Sequence, residues 1–158
     1  MVLSGDTDRK GDEFMIHNDT IELLKECNAG VKMGVTSIDD VLDKVKSEKL
    51  KGILHSSKEK HQELGSGLHE LLNRYEESGK DPNPVARGMS WIKTNVMMSM
   101  DDSDRTVADL MTDGCDMGVK SLTRYLNQYQ AADEDSKNMA KDLISLEERL
   151  RKDLQPFL

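Results

Sequence analysis

The residues able to bind a metal, move a proton or attack an electrophile are few here: four histidines, two cysteines and the carboxylates placed near them. Cys27 and Cys115 lie far apart with no Cys-x-x-Cys or Cys/His ligand spacing, so they read as small buried thiols and not as a disulfide framework. His17, His55 and His69 have no ligand-spaced companions and read as solvated surface. His61 sits in Glu59-Lys60-His61-Gln62-Glu63, where a helix would turn both glutamates onto its flanks; Glu147 likewise reads as a flank residue, and Glu147-Glu148 has no histidine after it. His61 and Cys115 are the two ligand-type side chains predicted to point squarely inward. The chemistry open to that pair is a soft single metal held by thiolate and imidazole, or a redox-active thiol whose pKa the imidazole lowers. Asn28, Ser57 and Thr112 fall at the same level, and such a buried polar cluster ordinarily serves hydrogen bonding and register.

The elements that must position these residues are helices. Ile21, Leu24, Asn28, Val31, Val35, Ile38, Leu42 and Val45 recur in steps of three and four, predicting a helix from Glu13 or Asn18 to about Ser47. A second helix, about Glu48 to Glu77, carries Leu50, Leu54, Ser57, His61, Leu64, Leu68, Leu71 and Tyr75, so Ser57 and His61 interrupt its apolar seam. The run Ser78 to Pro84 ends it, because proline lacks an amide hydrogen and its predecessor avoids helical geometry. A third helix, about Asp104 to Gln130, places Ala108, Thr112, Cys115, Val119, Leu122, Leu126 and Tyr129 on one stripe behind the capping run Asp101 to Asp104. The fourth starts after Asp133 with Met139, Leu143, Leu146, Leu150 and Leu154, and Gln155-Pro156 closes it. Residues 1–12 are polar and aperiodic and read as a flexible tail, with residues 13–158 forming one domain.

One register occurs twice. Gly30-Val31-Lys32-Met33-Gly34-Val35-Thr36-Ser37-Ile38 returns 84 residues on as Gly114-Cys115-Asp116-Met117-Gly118-Val119-Lys120-Ser121-Leu122. This predicts an internally duplicated bundle, with Gly30 and Gly34 marking close approach to another helix, since glycine inside a helix costs about 1 kcal/mol against alanine. Short connections make each helix pair an antiparallel hairpin. About 25 residues join the hairpins, enough to cross the bundle and bring the third helix in parallel to the second. That crossover contains a short amphipathic helix, Val85 to Met100, whose Met89, Trp91, Met97 and Met98 offer an adaptable surface for a homodimer or a protein partner. The fold class is all-α, a ferritin-like four-helix bundle of two antiparallel hairpins with a long crossover.

At 158 residues the chain is long enough for a real core, and 4% aromatic with 33% charged residues suits a bundle of aliphatic side chains under a charged exterior. A net charge of −8 disfavours nucleic acid and anionic membrane as partners. With no apolar run near the roughly 20 residues that span a bilayer, and no signal-like start, the expected location is the cytoplasm.

Gly88-Met89-Ser90-Trp91-Ile92-Lys93, Asp113-Gly114-Cys115-Asp116 and Lys25 to Gly34 resemble bacterial ferritin-like bundle proteins of unknown function, over roughly residues 18–154. Ferritin-like carboxylate proteins hold two metals with a glutamate on the first and third helices and Glu-x-x-His on the other two. The resemblance implies that Val31 and Cys115 stand where the single glutamates would, and neither remaining helix has a Glu-x-x-His. The expectation is a degenerate metal site without cofactor, in a structural or interaction module and not an oxidase. The alternative is a single-metal or thiol-redox protein using His61 and Cys115, with Glu59 and Glu63 as further candidate ligands.

Overall fold

The computed structural model describes residues 3–75, 92, 95 and 103–158, residues 3–8 as backbone alone. Four long helices account for most of them: α1 Leu3–Leu42, α2 Glu48–Arg74, α3 Asp104–Gln128 and α4 Glu134–Leu154, followed by a single 3-10 turn Gln155–Phe157. The crossover helix predicted at Val85 to Met100, with Met89, Trp91, Met97 and Met98, lies outside the described residues except for Ile92 and Asn95.

Each later helix begins where side-chain chemistry says it should. Ser47, Ser103 and Asp133 are extended N-caps whose side-chain oxygens accept from the amides of Leu50, Thr106 and Ser136. Helix α1 differs from expectation at both ends. It starts at Leu3, so residues 3–12 continue the helix, and it stops at Leu42, leaving a five-residue connection that buries Val45. At 40 residues it is about 60 Å long, far more than α3 needs with 25, and residues 9–18 are exposed helix beyond the packed core.

Cross-bonds at the two ends fix how the hairpins pair. Asp104, opening α3, accepts the amides of Lys46 (2.8 Å) and Ser47 (3.0 Å) in the α1–α2 connection. At the other end Thr20 Oγ1 accepts the amide of Asp133 (2.8 Å) and Asp19 accepts that of Ala131 (3.0 Å), both in the α3–α4 connection. The C-terminal end of α1 therefore meets the start of α3, so these helices run antiparallel and α2 runs parallel to α3, as the crossover length predicts. Thr20 and Asp104 are 84 positions apart, the spacing of the repeated register.

The core has two apolar layers. One gathers Ile38, Val41, Leu50, Leu54, Ile92, Val107, Met111 and Leu154, the other Leu23, Leu24, Val31, Leu68, Leu72, Leu122 and Leu143. Helix α4 packs on α1, α2 and α3, whereas α1 and α3 make the sparsest contact among neighbouring long helices. Among the described residues no helix is long and apolar enough to cross a membrane.

Candidate functional site

At mid-height, between the two apolar layers, two side chains from different hairpins meet. His61 on α2, 1% exposed, places Nε2 2.6 Å from Glu147 Oε1 on α4, whose side chain is 13% exposed. Its Nδ1 lies 2.7 Å from the carbonyl oxygen of Ser57 one turn earlier, with Ser57 Oγ at 3.4 Å. Each ring nitrogen thus faces an acceptor: a carbonyl, which can only accept, and a carboxylate. Both nitrogens are satisfied as donors when the ring is an imidazolium facing an ionised Glu147. Burial opposes that charge and is the largest influence, but the Glu147 hydrogen bond and charge and the Ser57 carbonyl outweigh it, so the pKa of His61 is raised above the ordinary histidine value.

The duplicated glycines make room for this pair. A Cβ on Gly34 would lie 2.9 Å from His61 Cδ2, and one on Gly118 would lie 3.4 Å from Glu147 Oε2. Gly34 of α1 therefore accommodates the imidazole, and Gly118 of α3 sits against the carboxylate. The expectation of backbone packing against backbone gives way here to glycine packing against a side chain. Gly114 has open space where its Cβ would be.

Cys115 on α3 completes the cluster. It is buried, its thiol donates to Glu147, and burial first and the Glu147 charge second push its pKa far above the ordinary thiol value. Cys27 is buried in the other layer and pushed up to about 12 by burial and Glu26. Both cysteines are free.

The structure brings together three of the predicted polar residues, Ser57, His61 and Cys115. Asn28 is buried on α1, but the hydrogen bonds of the pair run to Ser57 and not to it. Thr112 Oγ1 is buried without a hydrogen-bond partner. Glu59, Glu63, His55 and His69 are exposed on α2, and His17 is exposed on α1. Glu147 is the functional-type residue that the sequence pattern missed, because Leu146 filled its place in the apolar stripe. The signal was available in the spacing Leu143-Glu147-Leu150-Leu154, which is equally helical.

Above the pair the sparse contact of α1 and α3 leaves a cleft of about 330 Å³. Its walls are the duplicated register itself: Gly30, Met33, Gly34 and Ser37 on α1, and Gly114, Met117, Gly118 and Ser121 on α3. His61, Cys115 and Glu147 line it from within, Met111 and Ile92 toward one end, Leu122 and Tyr125 toward the other. Met33 and Met117 are about half exposed, at 49% and 52%.

No protein-family model and no curated protein matches the sequence. Two solved structures are similar in fold. A DUF305 fragment from Deinococcus radiodurans aligns with a TM-score of 0.68 at 10% identity, covering 87% of this chain and 93% of that one. A dodecameric thioferritin, the bacterioferritin-related protein of Bacteroides fragilis, aligns with a TM-score of 0.70 at 11% identity, covering 94% of this chain and 92% of that one. The chain has the ferritin-like four-helix fold.

Proposed function

We propose that this ferritin-like bundle serves as a non-enzymatic binding or interaction module, in which the two-metal carboxylate centre of the fold is replaced by a hydrogen-bonded pair beneath an open cleft. The observation that carries this reading is the 2.6 Å contact of His61 with Glu147. A carboxylate centre of this fold draws on four glutamates and two histidines from the inner faces of the helices. The inner positions here supply Val31, His61, Cys115 and Glu147, a single carboxylate already occupied by the imidazole. That donor set does not fit two hard divalent ions. Among the described residues, no group of three or more His, Cys, Asp or Glu is arranged to hold a metal ion.

The cleft between α1 and α3 is the surface such a module would use. Its methionines are flexible and polarizable, suited to shapes that vary. Elemental analysis of untagged protein from iron- and manganese-replete cells tests the reading. Substoichiometric iron and manganese are expected, and near-stoichiometric amounts of either would overturn it. The thiol-redox alternative is disfavoured, because burial and Glu147 hold Cys115 in its unreactive protonated form.

A further inference from the structure

A second cavity, of about 310 Å³, opens between α2 and α4. Ser56, Ser57 and Lys60 face it from one stripe of α2, and Leu146, Arg149 and Leu150 from α4. A further cation, Lys49, and one carboxylate, Asp153, also line it, so the spot is locally positive on a chain of net charge −8. Lys60, Leu146 and Arg149 are shared with a neighbouring cavity of the same two helices, which places the two cations on facing walls at a common rim. Glu63 and Asp142 line that neighbouring cavity, yet among the described residues neither Lys60 nor Arg149 is in an ion pair.

Ser57 brings a buried donor to the same place. It is 8% exposed. Its carbonyl, 2.7 Å from His61 Nδ1, can only accept, so that nitrogen carries a hydrogen whether the ring is neutral or charged. Ser57 Oγ, 3.4 Å from the same nitrogen, therefore accepts from it and keeps its own hydrogen for another acceptor. Ser66 and Thr123 donate theirs to the carbonyl one turn back, and Ser57 makes no such bond. A buried donor without an acceptor is costly, and an anion in the cavity that Ser57 lines would supply one.

We propose that the α2/α4 cavity binds a small phosphorylated organic molecule, its phosphate between Lys60 and Arg149 with the Ser57 and Ser56 hydroxyls donating to it, and its organic part against Leu146 and Leu150. A guanidinium grips two phosphate oxygens at once, and an ammonium adds a point charge. A phosphate ester presents three strong acceptor oxygens and a charge of about −1.5 to −2 at neutral pH, which suits two cations and two hydroxyls better than a carboxylate with two oxygens and one charge. Volume argues for more than the phosphate. The cavity is about twice the ~150 Å³ that admits benzene, so a ring-sized group fits beside the anion. Asp153 opposes an anion, and the rim charges are screened by salt, so a dissociation constant of about 1 mM or somewhat tighter is expected.

This site goes beyond the reading of the α1/α3 cleft, and its test is separable from the iron and manganese analysis. Phenyl phosphate and inorganic phosphate are titrated into the full chain at neutral pH and fixed ionic strength, followed by NMR of the backbone amides. The expected result is saturable binding of one phenyl phosphate per chain, with shifts centred on Ser57, Lys60 and Arg149, and inorganic phosphate binding about tenfold more weakly. Lys60→Gln/Arg149→Gln and Ser57→Ala should each weaken phenyl phosphate binding about tenfold or more, and Asp153→Asn should tighten it. Lys120→Gln/Arg124→Gln, which removes two exposed cations of α3, should leave it unchanged. Alanine at position 57 keeps the carbonyl that holds His61, so the fold is retained, verified by circular dichroism. Absence of saturation below about 10 mM, a Ser57→Ala variant equal to wild type, or inorganic phosphate bound as tightly as phenyl phosphate would each overturn the proposal. So would equal weakening by the α3 double variant, which would mean attraction to surface charge without a site.

Discussion

Gly34 lies directly against the ring of His61, with the position of its missing Cβ 2.9 Å from Cδ2 and 3.1 Å from Nε2. The ring cannot retreat cheaply, because its two nitrogens are held by Ser57 and Glu147 on opposite sides. Gly34→Ala should therefore destabilise the protein by about 1 to 3 kcal/mol, the collision outweighing the roughly 1 kcal/mol of helix propensity that alanine adds. Gly114→Ala, with nothing near its Cβ, should instead stabilise by about 0.5 to 1 kcal/mol. Gly67→Ala is an instructive intermediate. Its nearest neighbour, at 2.7 Å, is the terminal methyl of Met139, which can swing aside, so a change within about 1 kcal/mol of zero is expected. Urea unfolding of the three variants checks the order.

The raised pKa of His61 makes stability depend on pH. Burial lowers it most, but Glu147 and Ser57 raise it more, so the folded value exceeds the unfolded one. The stabilisation is then complete below the unfolded value of about 6.5 and is lost as pH rises through the higher folded value. Glu147→Gln removes the counter-charge and leaves burial dominant. Wild type should exceed this variant in stability most near pH 6, with the gap narrowing through pH 8 and above, as read by urea midpoints across that range. A gap independent of pH would mean that the ring is neutral throughout.

Neither thiol should be reactive in the native state. Burial, followed by Glu147, holds Cys115 protonated, and burial with Glu26 moves Cys27 to about 12. Labelling with a disulfide reagent at about pH 8 should be slow for both and complete on unfolding, since the thiolate is the reacting form. Rapid labelling of Cys115 in the folded protein would revive the thiol-redox reading.

The far end of the bundle depends on Asp133. One carboxylate oxygen caps α4 through the amide of Ser136 at 2.8 Å, and the other accepts the hydroxyl of Tyr75 at 2.7 Å, tying α4 to α2. Asp133→Ala should cost about 1 to 3 kcal/mol, the cap and the cross-helix bond together. Burial raises its pKa, but the bonds from Ser136 and Tyr75 lower it more, so the net shift is downward. That contribution is present above the unfolded value of about 3.9 and disappears as pH falls through the folded value, so the variant should lose less stability than wild type on acidification. Tyr75 should correspondingly ionise late, near 12, by ultraviolet titration.

The helices were largely legible because their signals are local. Caps at Ser47, Ser103 and Asp133 and stripes of three- and four-residue spacing mark α2, α3 and α4 closely. The start of α1 was not, since residues 9–18 are exposed and no buried face imposes a period on them. His61 and Cys115 are buried where the stripes of α2 and α3 put them, because both fall in step with the apolar positions of their helices. Glu147 escaped because Leu146 and Glu147 are adjacent and either one completes a helical stripe. Which of them turns inward is decided by a partner on another helix, His61, together with the room left by Gly118. The cleft was hidden for the same reason. A glycine read along one helix suggests close packing, and only the neighbouring helices show whether backbone, side chain or open space lies opposite.

In the proposed reading, the His61–Glu147 pair replaces the two-metal centre that carboxylate proteins of this fold build from their inner positions. Anaerobic titration of the purified chain with ferrous iron, followed by calorimetry for wild type and Glu147→Gln, tests it most directly. No stoichiometric, saturable binding is expected in either protein. Two ferrous ions bound per chain in wild type, and lost in Glu147→Gln, would contradict it.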